Sequence, residues 1–455
     1  MSVITETTGA MDSRGRSPLP VLVGPFSQAL TLRGLPRAGA ISDQQLEVIE
    51  RAGIVIAGSV IVDIGPWSDI TARYTHLKVQ RIEPLFEARG LSVSRGCTLT
   101  PGLVDAHTHL CFTGSRARDY ADRLNGVTYE EICTRGGGIK ETMGHTRAAD
   151  LEQLCRENGT RLDEHLRRGV TTVEVKSGYG LCVEHELKQL RAIKQMSVCR
   201  AQRLIPTCLA AHVVPPEFKT RGAASYLDKI CAELLPVALA EGLARRVDAF
   251  VEPSAFPVDI ARPYLDRARA MGFDLTLHAD QFHRGGAQLA AELGARSADH
   301  LEASREEDLI ALRDAGVSAV ALPGASLGLG IPFTPARRAL DLGLPLVIAS
   351  DWNPGSAPMG HLLLQASVLG AAERLCGAEI WAGITHRAAE VLGLDQVGEL
   401  SAGWSADLLA FPVEDYREIL YHQGMINPAC VWARGHLTST DPVNPSITAS
   451  EEPVE

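Results

Sequence analysis

The residues able to do chemistry gather in short polar clusters at the ends of apolar runs. Asp105-Ala106-His107-Thr108-His109 closes the apolar run 99–104. In an extended strand residues i and i+2 face the same side, so His107 and His109 point together into one cavity. Leu277-His278-Ala279-Asp280, Ala298-Asp299-His300 and Ala349-Ser350-Asp351 follow further apolar runs in the same way. Two or three imidazoles with a carboxylate and a water make a hydrolytic zinc site, where the metal lowers the water's pKa and polarises a carbonyl. A lone His-x-His is a weak signal, since any one of these histidines by itself reads more readily as a packed or surface group. Their recurrence at successive strand ends reverses that reading and points to a metal.

The elements that must position these residues follow from the hydrophobic pattern. Apolar runs at 102–110, 171–176, 204–211, 249–251, 275–279, 297–301, 317–322 and 346–350 read as strands. Between them, stretches rich in Ala, Leu, Glu and Arg at 148–168, 184–201, 224–246, 260–271, 285–294, 304–315 and 334–342 read as helices. Strand and helix alternating over roughly 250 residues predict a (β/α)8 barrel, with an open parallel sheet as the rival. A barrel gathers its strand ends in one mouth, where active sites of this fold sit. Before it, Ile54-Val55-Ile56-Ala57-Gly58-Ser59-Val60-Ile61-Val62 reads as two strands around a turn. Short strands return at 396–435, so segments 19–100 and 391–436 are expected to form one small β-sandwich beside a catalytic barrel at 101–390. Residues 1–18 read as a flexible arm and 437–455, rich in Ser, Thr, Pro and Glu, as a disordered tail.

The 455 residues carry 55 acidic against 44 basic side chains, a formal charge of −11 with no basic stripe. That balance argues against nucleic acid or an anionic membrane as partner and leaves a small anionic ligand open. The ten cysteines are scattered without a Cys-x-x-Cys pair, as expected of reduced thiols in a cytoplasmic protein. The first twenty residues lack the apolar core of a signal peptide, and no apolar stretch reaches membrane-span length.

Pro101-Gly102-Leu103-Val104-Asp105-Ala106-His107-Thr108-His109, with His278, His300 and Asp351, resembles the amidohydrolase superfamily, and within it the imidazolonepropionases. The resemblance runs over residues 52–435. It includes Gly114-Ser115-Arg116, Gly136-Gly137-Gly138-Ile139, Glu174-Val175-Lys176-Ser177-Gly178-Tyr179-Gly180-Leu181, Ala211-His212 and Asp351-Trp352-Asn353-Pro354-Gly355-Ser356. It implies a TIM barrel of the metal-dependent amidohydrolase type, a β-sandwich built from both chain ends and a homodimer. It also implies one divalent metal, zinc foremost, with iron or manganese compatible with the same donors. His107, His109, His278 and Asp351 match its metal ligands, and His300 its further active-site histidine. Arg116, Tyr179, His212 and Asn353 match substrate-contacting positions. Arg116 offers a fork suited to a propionate carboxylate. The triple glycine could cradle an anion through backbone N–H groups. Lys176 could support the site or merely cap the barrel rim.

One position departs from the family. Its His-Ala-Asp-Glu is here His278-Ala279-Asp280-Gln281, and glutamine cannot ionise to serve as the proton shuttle. His283 could replace the missing carboxylate, or Asp351 or His300 could take the proton from water. Glu302 reads as a solvated group or one supporting His300, with a smaller claim to the same role. Alternatively the leaving group needs little protonation, as sulfide would. The favoured expectation is therefore hydrolysis of 3-(5-oxo-2-thioxoimidazolidin-4-yl)propionate, with metal-activated water attacking C2 and releasing sulfide. The alternatives are opening of 4-imidazolone-5-propionate to N-formimino-glutamate, a purine- or pterin-like aminohydrolase, and an inactive ligand-binding barrel. The small-residue loop 322–330 would give room for sulfur.

Overall fold

Strands buried on both faces tend to read as apolar runs; Val170–Lys176 is buried at every position although Thr171, Thr172, Glu174 and Lys176 interrupt its valines. The computed structural model describes residues 19–92, 96–128, 131–132 and 135–438. The expected arm at 1–18, and the expected tail beyond residue 438, lie outside the described residues, while Leu437 belongs to the last strand.

Strands β1 (Val21–Leu30), β2 (Val48–Ala57), β3 (Val60–Pro66), β4 (Lys78–Arg81) and β5 (Thr98–Pro101) come first. The barrel follows with β6 (Leu103–Asp105), β7 (Val170–Lys176), β8 (Arg203–Ala211), β9 (Arg246–Val251), β10 (Asp274–Ala279), β11 (Ser297–His300), β12 (Ser318–Ala321) and β13 (Leu346–Ile348). Last come β14 (Leu408–Phe411), β15 (Cys430–Ala433) and β16 (His436–Leu437). Strands β6 to β13 pair in parallel in sequence order. This is the expected eight-stranded barrel.

Three strand ends differ from the sequence reading for local reasons. Run 102–110 gives only three paired residues before the chain turns to closing the barrel seam. There Asp351 N donates to His107 O and His109 N donates to Trp352 O, both at 3.0 Å. Strand β13 stops before Ser350, whose N–H leaves the ladder for Asp105 Oδ1 at 3.0 Å. Strand β11 stops at His300, where His300 and Leu301 have φ of 86° and 68°. The expected helix 224–246 is interrupted by a wide turn at Ile230–Leu234, because Pro236 brings no N–H and clashes with the preceding turn.

The flanking strands form a second sheet in the order β16-β15-β14-β5-β1-β2-β3, with β4 also on β1. Strand β5 lies between β1 and β14, so the two ends of the chain meet there. The sheet curls until Ile61 N reaches Trp404 O at 2.8 Å. It encloses a core that includes Val23, Phe26, Ile54, Leu99, Leu408 and Trp432. Gly102 joins this sheet to the barrel, and a β-carbon there would stand 2.2 Å from Thr171 Oγ1. Among the described residues no helix is long and apolar enough to cross a membrane.

Candidate metal centre

The seam segment and β10 bring His107, His109 and His278 together. His109 Nε2 lies 3.3 Å from His107 Nε2 and 3.1 Å from His278 Nε2. Asp351 Oδ1 stands 3.3 Å from His109 Nε2 and 3.5 Å from His107 Nε2. His107 Nδ1 is 2.6 Å from Asp299 Oδ2, and His278 Nδ1 is 3.0 Å from Asp248 Oδ2. Carboxylates facing Nδ1 fix the tautomer, leaving the Nε2 lone pairs turned inward. Lone pairs facing one another this closely suit a cation between them.

The protonation states agree. Burial, reinforced by Lys176 and the neighbouring histidines, holds His107 far below the usual imidazole range. Burial also pulls His278 down to about 4, although Asp248 opposes it. Burial alone would raise Asp351, but its hydrogen bond with His109 and the surrounding imidazoles outweigh it and hold the carboxyl below its usual range. Imidazole nitrogens with one carboxylate oxygen are the donor set of a divalent transition metal, and these residues fit one. Asp351, at φ 50°, and His300 occupy left-handed backbone that costs energy outside glycine.

Around this cluster the other expected residues divide. His300 joins it, with its ring centroid 5.4 Å from that of His278 and its Nδ1 3.4 Å from Glu302 Oε1. Glu302 is 2% exposed and accepts from Ser326 Oγ at 3.0 Å, so it is buried behind His300 rather than solvated. His212 stacks on His109 at 5.2 Å and turns Nδ1 to Gly178 O at 3.0 Å. Tyr179 lies edge-on to His212 at 5.4 Å. Arg116 is 10% exposed, its Nε 3.7 Å from Asp119 and its guanidinium close over Gly355. The N–H of Gly138 is already donated to Asp119 at 2.8 Å, which ties the triple glycine to the Arg116 segment.

Asn353 spends its amide inside its own loop: it donates to Asp351 O and Ser356 Oγ and accepts from the N–H groups of Gly355 and Ser356. Gln281 is buried directly after the turn that follows β10. The structure does not bring His283 to the cluster. Its ring is 66% exposed and held 2.9 Å from Glu252, which has also taken the N–H groups of Phe282 and His283.

Several residues of the site escape sequence reading. Asp248 and Asp299 back two of the histidines. Glu186 accepts from the N–H groups of Gly178, Gly180 and Leu181, so it shapes the loop that carries Tyr179. His165 stands 3.3 Å from Asp105 and edge-on to Trp352 at 4.7 Å. Asp248 stands just before the run 249–251, Glu186 and His165 stand in segments read as helices, and Asp299 shows only its place beside His300, so none announces the contact it makes. Lys176 does not cap the rim. It is 1% exposed between Glu174 and Asp248, which outweigh burial and keep its ammonium charged.

A parallel barrel that gathers neutral imidazoles and a carboxylate at its strand ends defines a metal-dependent hydrolase. The sequence model of the amidohydrolase family matches residues 98–438, and the chain belongs to that family. It is 41% identical over 424 residues to an imidazolonepropionase of Symbiobacterium thermophilum, covering 92% of this chain and 97% of that one. It is 43% identical over 401 residues to an imidazolonepropionase of Rubrobacter xylanophilus, covering 86% and 92%. Among solved structures it resembles a mutant atrazine chlorohydrolase of Arthrobacter aurescens complexed with zinc and atraton, with TM-score 0.64, 16% identity and coverage of 92% and 94%. An adenosine deaminase of Xanthomonas campestris with bound zinc matches with TM-score 0.62, 17% identity and 92% of each chain. At that identity the two structures speak for the fold alone.

Proposed function

We propose that this hydrolase acts on a five-membered oxo-imidazole ring carrying a propionate arm, and that its reaction is the opening of 4-imidazolone-5-propionate to N-formimino-glutamate. The observation that carries this reading is the near full-length similarity to imidazolonepropionases. It favours ring opening over the sulfide-releasing reaction that Gln281 suggests.

In this reading His107, His109, His278 and Asp351 hold one divalent metal, zinc in our proposal. When bound, the metal supplies Lewis acidity and lowers the pKa of water. Arg116 takes the propionate carboxylate in its fork. Tyr179 and His212 orient the ring, and the bond from His212 Nδ1 to Gly178 O leaves Nε2 as an acceptor toward the cavity. Water adds to the ring carbonyl, and the bond from that carbon to the ring nitrogen breaks. Asp351 is the base that takes the water's proton. His300 is the acid that returns a proton to the departing nitrogen. Burial works against a charge on His300, but Glu302 beside it wins and raises the imidazole above its usual range. The pair therefore supplies a proton that Gln281 cannot. Asn353 shapes the loop that carries Asp351.

One observation favours a second reading. A buried glutamine in place of the proton shuttle fits a 2-thioxo ring, whose C2 would accept water and release hydrosulfide without much protonation. Zinc-loaded protein assayed on both rings, following ring absorbance and released sulfide together, tests the two. Ring opening without sulfide chemistry supports the first reading. Sulfide release lost on chelation and in His107→Ala replaces it by the second. Silence on both with metal bound rejects the propionate-ring substrate.

A further inference from the structure

We propose that Lys176 is a positioning residue for the metal: one buried ammonium joins the carboxylate that fixes the His107-Thr108-His109 segment to the carboxylate that fixes His278. The inference rests on the metal-hydrolase reading and adds to it a residue outside the expected ligand set.

The chain of contacts is continuous. Lys176 Nζ donates to Glu174 Oε1 at 2.8 Å and pairs with Asp248 Oδ2 at 2.9 Å. The other oxygen of Glu174 accepts the N–H of Thr108 at 3.0 Å, and Thr108 Oγ1 donates to Glu174 O at 2.6 Å. Lys176 N donates to Thr108 O at 3.0 Å. Thr108, the residue between the two histidines, is thus held by the Glu174–Lys176 segment through its N–H, its carbonyl and its hydroxyl. On the other side Asp248 accepts the N–H of His278 at 3.2 Å and faces His278 Nδ1 at 3.0 Å.

Lys176 belongs to the second strand of the barrel and Asp248 to the fourth, so their ion pair crosses the barrel interior beneath the histidines. Glu174, Lys176 and Asp248 are all within 1% of full burial. In that dry interior two carboxylates repel strongly, and the ammonium between them lets Glu174 keep the N–H of Thr108 while Asp248 keeps His278. A packing role alone would not require both of its partners to terminate on metal-binding segments.

The test measures metal rather than turnover. Apo-protein from wild type, Lys176→Met and the charge-balanced double variant Lys176→Met/Glu174→Gln would be titrated with zinc against a chromogenic chelator. Each would then be loaded with cobalt(II) and its visible spectrum recorded. Ile193→Ala, a core substitution away from the site, controls for loss of stability. We expect Lys176→Met to bind zinc about tenfold or more weakly, with an altered cobalt spectrum. The control, at a comparable loss of Tm, is expected to bind as wild type does. If Lys176→Met does not fold, the double variant, which keeps the buried charge balance and loses only the bridge between the two carboxylate positions, is expected to show a smaller loss of about fivefold. Zinc affinity within twofold of wild type with an unchanged cobalt spectrum, in whichever variant folds, overturns the inference and leaves the metal site standing. A wild-type chain that takes up no zinc refutes the metal site itself, and this inference with it.

Discussion

Gly355→Ala tests the role of Arg116 by displacing its guanidinium while leaving the residue itself unchanged. A β-carbon at position 355 would stand 2.4 Å from Arg116 Nη2, 2.9 Å from Cζ and 3.1 Å from Nη1. Ordinary contact begins near 3.4 Å, so the guanidinium has to retreat by about 1 Å. The loop resists yielding instead. Asn353 Oδ1 accepts the N–H of Gly355 at 2.8 Å, and Arg123 donates to Gly355 O at 3.2 Å. Hydrogen bonds to a charged group contribute about 1.5–3 kcal/mol, and a misplacement of about 1 Å can cost as much as 100-fold in rate. We therefore expect kcat/KM to fall roughly thirtyfold, about 2 kcal/mol, mostly through KM. The assay compares wild type and Gly355→Ala on the propionate ring and on its neutral carboxamide. The loss is expected on the carboxylate alone, with zinc content unchanged. An unaffected kcat/KM, or an equal loss on the carboxamide, would refute the assignment of Arg116 to the propionate.

Three further outcomes follow. Gln281→Glu puts an ionisable group at a buried position three residues after His278 and is expected to raise kcat for imidazolone opening by about tenfold or more, since a positioned base contributes about 100-fold upward; an unchanged steady-state kcat places proton transfer wholly elsewhere. Glu302→Gln removes the charge that supports His300 and is expected to lower kcat by about tenfold or more while zinc affinity stays within twofold, and a pH–rate profile identical to wild type would contradict it. His386 is pulled down to about 3, by burial first and then by Arg37 and Arg387. The unfolded chain therefore binds more protons than the folded one between about pH 6.5 and 3. The contribution of His386 is complete above that window and is lost as pH falls through it. Chemical denaturation across this range is expected to show up to one proton less linked to unfolding in His386→Leu, and an unaltered slope would count against it.

Much of the fold is legible because most barrel strands contain a short apolar run between helical stretches. Run 171–176, for instance, becomes Val170–Lys176. Strand ends are less legible where a side chain or a left-handed residue ends the ladder, as Asp105 does for Ser350 and as His300 does for β11. The clustered histidines are legible from their place at strand ends. The acids behind them are not, because Asp299 meets His107 across 192 residues and nothing near either one announces the pair. Proximity in sequence points the wrong way for His283, since Glu252, just past the end of the neighbouring strand, claims its ring. Gln281 gains meaning only from the family resemblance, because an isolated glutamine after a turn carries no signal of a lost proton shuttle.

In the proposed reaction, opening of an imidazolone ring bearing a propionate depends on the metal. Its most direct test is one turnover of 4-imidazolone-5-propionate by chelated and by zinc-restored protein in oxygen-18 water, with the product read by mass. We expect N-formimino-glutamate carrying one heavy oxygen from the zinc-restored protein and no product from the chelated one. Intact substrate with zinc bound, or equal product from the chelated protein, would contradict it.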